Sequence, residues 1–138
     1  MMTIDEMQDV LDELAEELPE VFYKDLNGGI VLLPDAKESS YSRNDDLYTL
    51  GEYHRGGAMG SYIKIYYGSF ERLFSHLSDE NMKTQLRKTL RHEFRHHLEG
   101  LAGEKGLEYE DERFIRDYLD RREPIHGRKH GPLPFLRK

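Results

Sequence analysis

The sequence predicts an α+β domain in which a small sheet, mixed or mostly antiparallel, packs on one chemistry-bearing helix and its flanking helices. Three features predict it. Helical periodicity occupies both ends of the first 120 residues, at 7–18 and again from 79 onward. Short β-rich runs lie between, at 30–33, 47–53 and 62–67. The length, 138 residues, suits one compact domain with a modest core. Residues 1–120 are read as the domain and 121–138 as a basic C-terminal tail.

Met7, Val10, Leu11, Leu14 and Leu18 recur at helical spacing until Pro19 ends the pattern. Asn27-Gly28-Gly29 forms a turn into the short apolar strand Ile30–Leu33, closed by Pro34. Residues 35–46 are polar and loop-like. Leu47–Tyr53 reads as a second strand, and residues 54–60, with Gly56, Gly57 and Gly60, as a flexible connection. Tyr62–Tyr67, aromatic and β-branched, is the clearest strand. It reads either as an ordinary sheet strand with aromatic core contacts or as an edge strand to which an extended peptide could add. Ser69 is placed as the cap of a short helix bearing Phe70, Leu73, Phe74 and Leu77. A long helix is expected over Asp79–Leu98, started by Ser78 or Asp79 and stopped by Gly100, Gly103 and Gly106. A last helix carries Phe114, Ile115, Tyr118 and Leu119 on its apolar face.

Composition narrows the chemistry. The chain has no cysteine, so a disulfide scaffold and a thiolate-bound metal are both excluded. Any metal must be held by imidazole and carboxylate. No run of about eighteen apolar residues exists, and the acidic N-terminus carries no signal-like segment, so a cytoplasmic protein without a membrane span is expected. The formal net charge of −7 argues against a general nucleic-acid binder. Charge is nevertheless uneven: residues 1–25 hold nine acids against Lys24, whereas 121–138 hold six Lys or Arg and one acid, Glu123.

The long helix carries the informative motif, His92-Glu93-Phe94-Arg95-His96. On a wheel of about 100° per residue, Leu86, Leu90, Phe94, His97 and Leu98 fill a core arc of about 120°. Lys88, Arg91 and Arg95 are expected to face water. His92, Glu93 and His96 occupy a third sector. Two histidines one turn apart can reach one tetrahedral zinc ion. Glu93, beside them and not a ligand, can serve as general base for water whose pKa the metal lowers. A zinc site of this type needs a third protein donor. The acids that follow are Glu99, Glu104, Glu108, Glu110, Asp111 and Glu112. Asp111 stands at the centre of the last helix's apolar face, where a carboxylate needs a cation or donors. It is the expected third ligand, with Glu110 and Glu104 in reserve, and its other reading is an N-cap of that helix. An oxyanion donor is also expected, from among His97, Tyr109 and Tyr118.

The stretch Leu90–Gly100, continued by Leu101-Ala102-Gly103-Glu104 and Glu110-Asp111-Glu112, resembles the small bacterial zincin-like metallopeptidases, stand-alone minimal zincins. The likeness is strongest over residues 84–119 and extends over 47–119. It implies a compact α+β fold, His92 and His96 as zinc ligands, Glu93 as base and Asp111 as the acidic position. It implies hydrolysis of a peptide or protein substrate. The glycine-punctuated turn between His96 and Asp111 is longer here than in that family. Two other functions fit the same spacing: a non-proteolytic zinc-binding module, and a metal-dependent RNA hydrolase drawn on by the basic tail with His126 and His130. Glu93 favours peptide chemistry.

Overall fold

The computed structural model describes residues 1–39, 47–58, 60–104 and 106–122. The first helix, α1 (Ile4–Glu17), begins at a capping box. The Thr3 hydroxyl accepts from the Glu6 amide at 3.1 Å, and the Glu6 carboxylate accepts from the Thr3 amide at 2.8 Å. Its period-matched Met7, Leu11 and Leu14 are buried. A 3-10 turn at Glu20–Tyr23 follows, burying Phe22.

Five strands come next: β1 (Gly29–Leu33), β2 (Lys37–Glu38), β3 (Tyr48–Thr49), β4 (Gly51–His54) and β5 (Tyr62–Tyr66). The main sheet has the order β1-β5-β4, with β1 parallel and β4 antiparallel to β5. It is therefore mixed, and β5 lies at its centre. Of the two readings of 62–67, the ordinary sheet strand holds and the edge strand does not; the outer strand beside the long helix is β4. The expected single strand over 47–53 is two strands. Leu50, fully buried between them, breaks the run while its carbonyl accepts from the Tyr66 amide at 3.0 Å. Lys37 and Glu38, expected in a loop, pair with Thr49 and Tyr48 as a separate two-stranded ladder. Between β4 and β5, Gly56 and Gly57 take φ of 74° and 80°, values that side chains disfavour.

The helix α2 (Tyr67–Phe74) starts two residues before Ser69. Ser69 is no cap: it is buried inside the helix, and its hydroxyl accepts from the Lys37 amide at 2.9 Å. A Cβ at Gly68 would stand 2.6 Å from the backbone at Asp35 and Ala36, so α2 and the β1–β2 turn touch through that glycine. The helix α3 (Asp79–Gly103) starts at Ser78, whose hydroxyl accepts from the Asn81 amide at 3.1 Å. It runs through Gly100 and Gly103, five residues past its expected end. The last helix, α4 (Tyr109–Arg122), has Glu108 before its first turn, so Asp111 is not its cap.

Ile63, Ile65 and Gly51 turn toward α3, and the core continues through Leu86, Leu90, Phe94 and Leu98 to α1 and to Ile115 and Leu119 of α4. The other sheet face carries Glu52, His54, Tyr62, Lys64 and Tyr66. Two expectations about the helices fail. Phe114 is exposed, leaving Ile115, Leu119 and the partly buried Tyr118 to hold α4. Arg91 is buried: it donates to the Leu119 carbonyl at 3.3 Å and lies over the Tyr118 ring. The expectations for residues 40–46 and for tail residues 123–138, His126 and His130 included, fall outside the described residues.

Candidate active site

Helix α3 sets the geometry of the motif. One turn of helix brings the His92 and His96 rings to 4.7 Å between centroids, nearly perpendicular at 84°, with their Nε2 atoms 3.2 Å apart. His92 is half-buried and His96 exposed, so the pair opens outward. Glu93, about 60° round the helix from His96, faces β4 and is 1% exposed. It lies against β4 because residue 51 has no side chain: a Cβ there would come within 3.2 Å of the Glu93 Cγ and 3.0 Å of the Thr89 methyl. Gly51 thus lets the sheet approach the motif helix.

Between the end of β4 and α3 is a cavity of about 290 Å³ lined by Tyr53, Arg55, Glu93, His96 and Gly100. Tyr53 follows Gly51 by two residues on the strand, so period-two alternation turns it to the same helix-facing side. Its hydroxyl is 2.8 Å from the His97 Nδ1, and His97 Nε2 is 2.7 Å from the Lys24 carbonyl. A carbonyl can only accept, so Nε2 carries the hydrogen and Nδ1 accepts from Tyr53. Burial pushes the His97 pKa down despite the Lys24 bond, which keeps the ring neutral as that pattern demands. Arg55, just past β4, ion-pairs with Glu104, the residue that ends α3.

No family model matches this chain, and no curated protein matches it. Among solved structures, a conserved hypothetical protein from Thermus thermophilus is 32% identical and superposes with a TM-score of 0.65. The match covers 74% of this chain and 99% of the other. The chain belongs to that protein's family. That relative brings no activity with it, and the shared family fixes the fold alone.

In this family member the structure brings His92 and His96 together and sets Glu93 beside His96 in one cavity wall. Asp111 is not brought to them. Among the described residues, no group of three His, Cys, Asp or Glu side chains could hold a metal ion. The reason is where α4 docks. It lies over the sector of α3 that carries Arg91, about 100° or more around the helix from His92 and His96. Glu104 is engaged with Arg55. Nor does any expected oxyanion donor line the cavity: both His97 nitrogens are used internally, Tyr109 is 71% exposed, and Tyr118 donates to the Glu17 carbonyl at 3.3 Å. Tyr53 and Arg55 occupy that wall instead. Alternation from Gly51 could have revealed Tyr53; Arg55 follows the strand, where periodicity gives no signal.

Proposed function

We propose that the chain is a zinc-dependent peptidase-type hydrolase centred on His92, Glu93 and His96. The separation of the two imidazole nitrogens carries this reading. A tetrahedral ion about 2.0–2.1 Å from each nitrogen holds them about 3.3 Å apart, against 3.2 Å observed. Two imidazoles at that separation supply two of the three protein donors an open zinc site takes, without rearrangement of the helix; the third is not among the groups brought together by the described residues. Zinc held there supplies an activated water and polarises a carbonyl. Glu93 then does the proton work at its carboxylate, within the cavity wall and away from bulk water. Tyr53, fixed through His97 to the Lys24 carbonyl, keeps β4 and α3 in register. The outer strand β4 offers its backbone to an extended peptide, the role that the edge-strand reading of 62–67 carries.

The test is metal content with turnover. Purified protein should hold about one zinc per chain, the open-site stoichiometry. His92→Ala and His96→Ala should lose it. Glu93→Gln should keep the metal and the fold while peptide hydrolysis drops on the order of 10²–10⁴-fold. Full zinc occupancy in both histidine variants would refute the assignment.

A further inference from the structure

We infer that Arg55 makes this cavity a carboxylate receptor, so that the substrate is a peptide presenting a free carboxylate next to the bond attacked. The inference rests on the cavity being the substrate site. Its volume, about 290 Å³, is at the bottom of the range of about 300–1,000 Å³ that takes a small ligand. That admits one side chain or one chain end. The walls are polarised, with the buried Glu93 carboxylate on one and the Arg55 guanidinium on another.

Arg55 already holds a carboxylate, that of Glu104. Both side chains are largely open to solvent, 47% and 58% exposed, and exposed pairs of this kind contribute little to stability. An incoming carboxylate can therefore displace Glu104 at small cost. The guanidinium presents several N–H donors in a planar fork that matches a carboxylate in two-point contact. It also passes over Gly100, where a Cβ would lie 3.4 Å from the guanidinium carbon. Gly100 itself puts no side chain between the cation and the cavity. Tyr53 does not compete for an anion, because its proton is committed to His97. Glu104 occupies the guanidinium that the ligand's carboxylate would take.

The test uses the full chain as purified and needs no turnover. Binding of three probes is measured by titration calorimetry in parent and variants, and the ¹⁵N signal of the Arg55 Nε–H reports the contact where Arg55 is present. N-acetylglycine offers a main-chain carboxylate, and N-acetylaspartate α-methylamide a side-chain carboxylate. N-acetylglycinamide has neither. At least one acid should bind tenfold or more tightly than the neutral amide, and the tighter acid identifies the source of the carboxylate. Arg55→Gln should weaken that binding at least tenfold, and Glu104→Gln, which removes the internal competitor, should tighten it severalfold. Equal binding of acids and amide would overturn the inference, as would unchanged binding in Arg55→Gln or weaker binding in Glu104→Gln. Zinc content and the Glu93→Gln assay are measured separately, so failure here leaves the hydrolase reading standing, while failure of that reading would leave Arg55 a carboxylate receptor and remove the substrate assignment.

Discussion

At the scale of single residues, three histidines within six positions have separate fates, set by about 100° of rotation per residue. His92 and His96 lie on the open sector. His97, one step further, is swept into the core, where only a neutral ring with both nitrogens partnered is inexpensive to bury. The wheel assigns all three correctly. It fails for Arg91, since a charged residue at the margin of the core arc can be buried when a later helix covers it. Here α4 brings the Leu119 carbonyl and the Tyr118 ring to that guanidinium. The same docking bears on Asp111. With α4 seated over Arg91, Asp111→Ala should change zinc affinity by less than about threefold. A loss of tenfold or more, within the 10–100-fold typical of disturbing a metal site's supporting residues, would put the first turn of α4 on the metal after all.

At the scale of elements, the long helix and the strand at 62–66 were legible because each is a long or strongly patterned run. Their ends and neighbours were not. Gly100 and Gly103 cost the helix about 1 kcal/mol each relative to alanine, too little to end it while Leu98 and Leu101 are buried around them. Sheet order was hidden because β5 pairs with β1 across a long intervening segment, a choice that no local pattern records. Strand β4 is held from its outer face by Glu52. The Glu52 carboxylate accepts from the Tyr66 hydroxyl at 2.8 Å, faces the His54 Nε2 at 3.0 Å and pairs with Lys37 of β2. Burial by itself would raise its pKa, but the bonds from Lys37, Tyr66 and His54 outweigh it and bring the group down to about 2 from 4.5. A depressed carboxylate adds stability that is fully present above about pH 4.5 and is lost as pH falls toward 2. Glu52→Gln should therefore cost about 2 kcal/mol at pH 7, the scale of hydrogen bonds to a charged group. The gap between variant and parent should narrow steadily below about pH 4.5, to about a quarter of its pH 7 size at pH 2.5. Urea titrations at pH 7, 4 and 2.5 check this, and a gap independent of pH would show that shape and not charge matters at residue 52. Because Glu52 points away from α3, zinc binding should be unchanged.

At the scale of the whole molecule, α1 and α3 bind the two ends of the domain together. Glu13 meets Lys83 at 3.0 Å, and Glu17 grips Arg87 with two bonds of 2.9 and 3.1 Å, outside the packed Met7, Leu11 and Leu14. The acidity of the N-terminal segment, legible only as a charge run, is thus partly matched by basic residues 70 positions away. The basic tail has no such role assigned. It is broken by Pro124, Gly127, Pro132 and Pro134, so deletion of residues 126–138 should leave zinc content unchanged and shift stability by no more than about 0.5 kcal/mol. Thermal melts by circular dichroism test this; loss of cooperative unfolding would make Phe135 and Leu136 part of the core.

The central position of β5 also orders events in time. Strands β4 and β5 are joined by a short connection and can zip as a hairpin within about 1–10 μs. Among the described residues, strand β1 pairs in the main sheet with β5, and it can join only after a loop of about 30 residues closes. The parallel pair should therefore form late, after the hairpin has docked on α3. In stopped-flow kinetics, Ile63→Val should mainly slow folding, with a φ-value of about 0.5 or more, while Leu32→Ala should mainly speed unfolding, with a φ-value below about 0.3. Equal slowing of folding by both would mean that β1 is already in place at the transition state. If the order holds, the half of the sheet beside the candidate site assembles first, and the seam that opens first under stress is the one farthest from it.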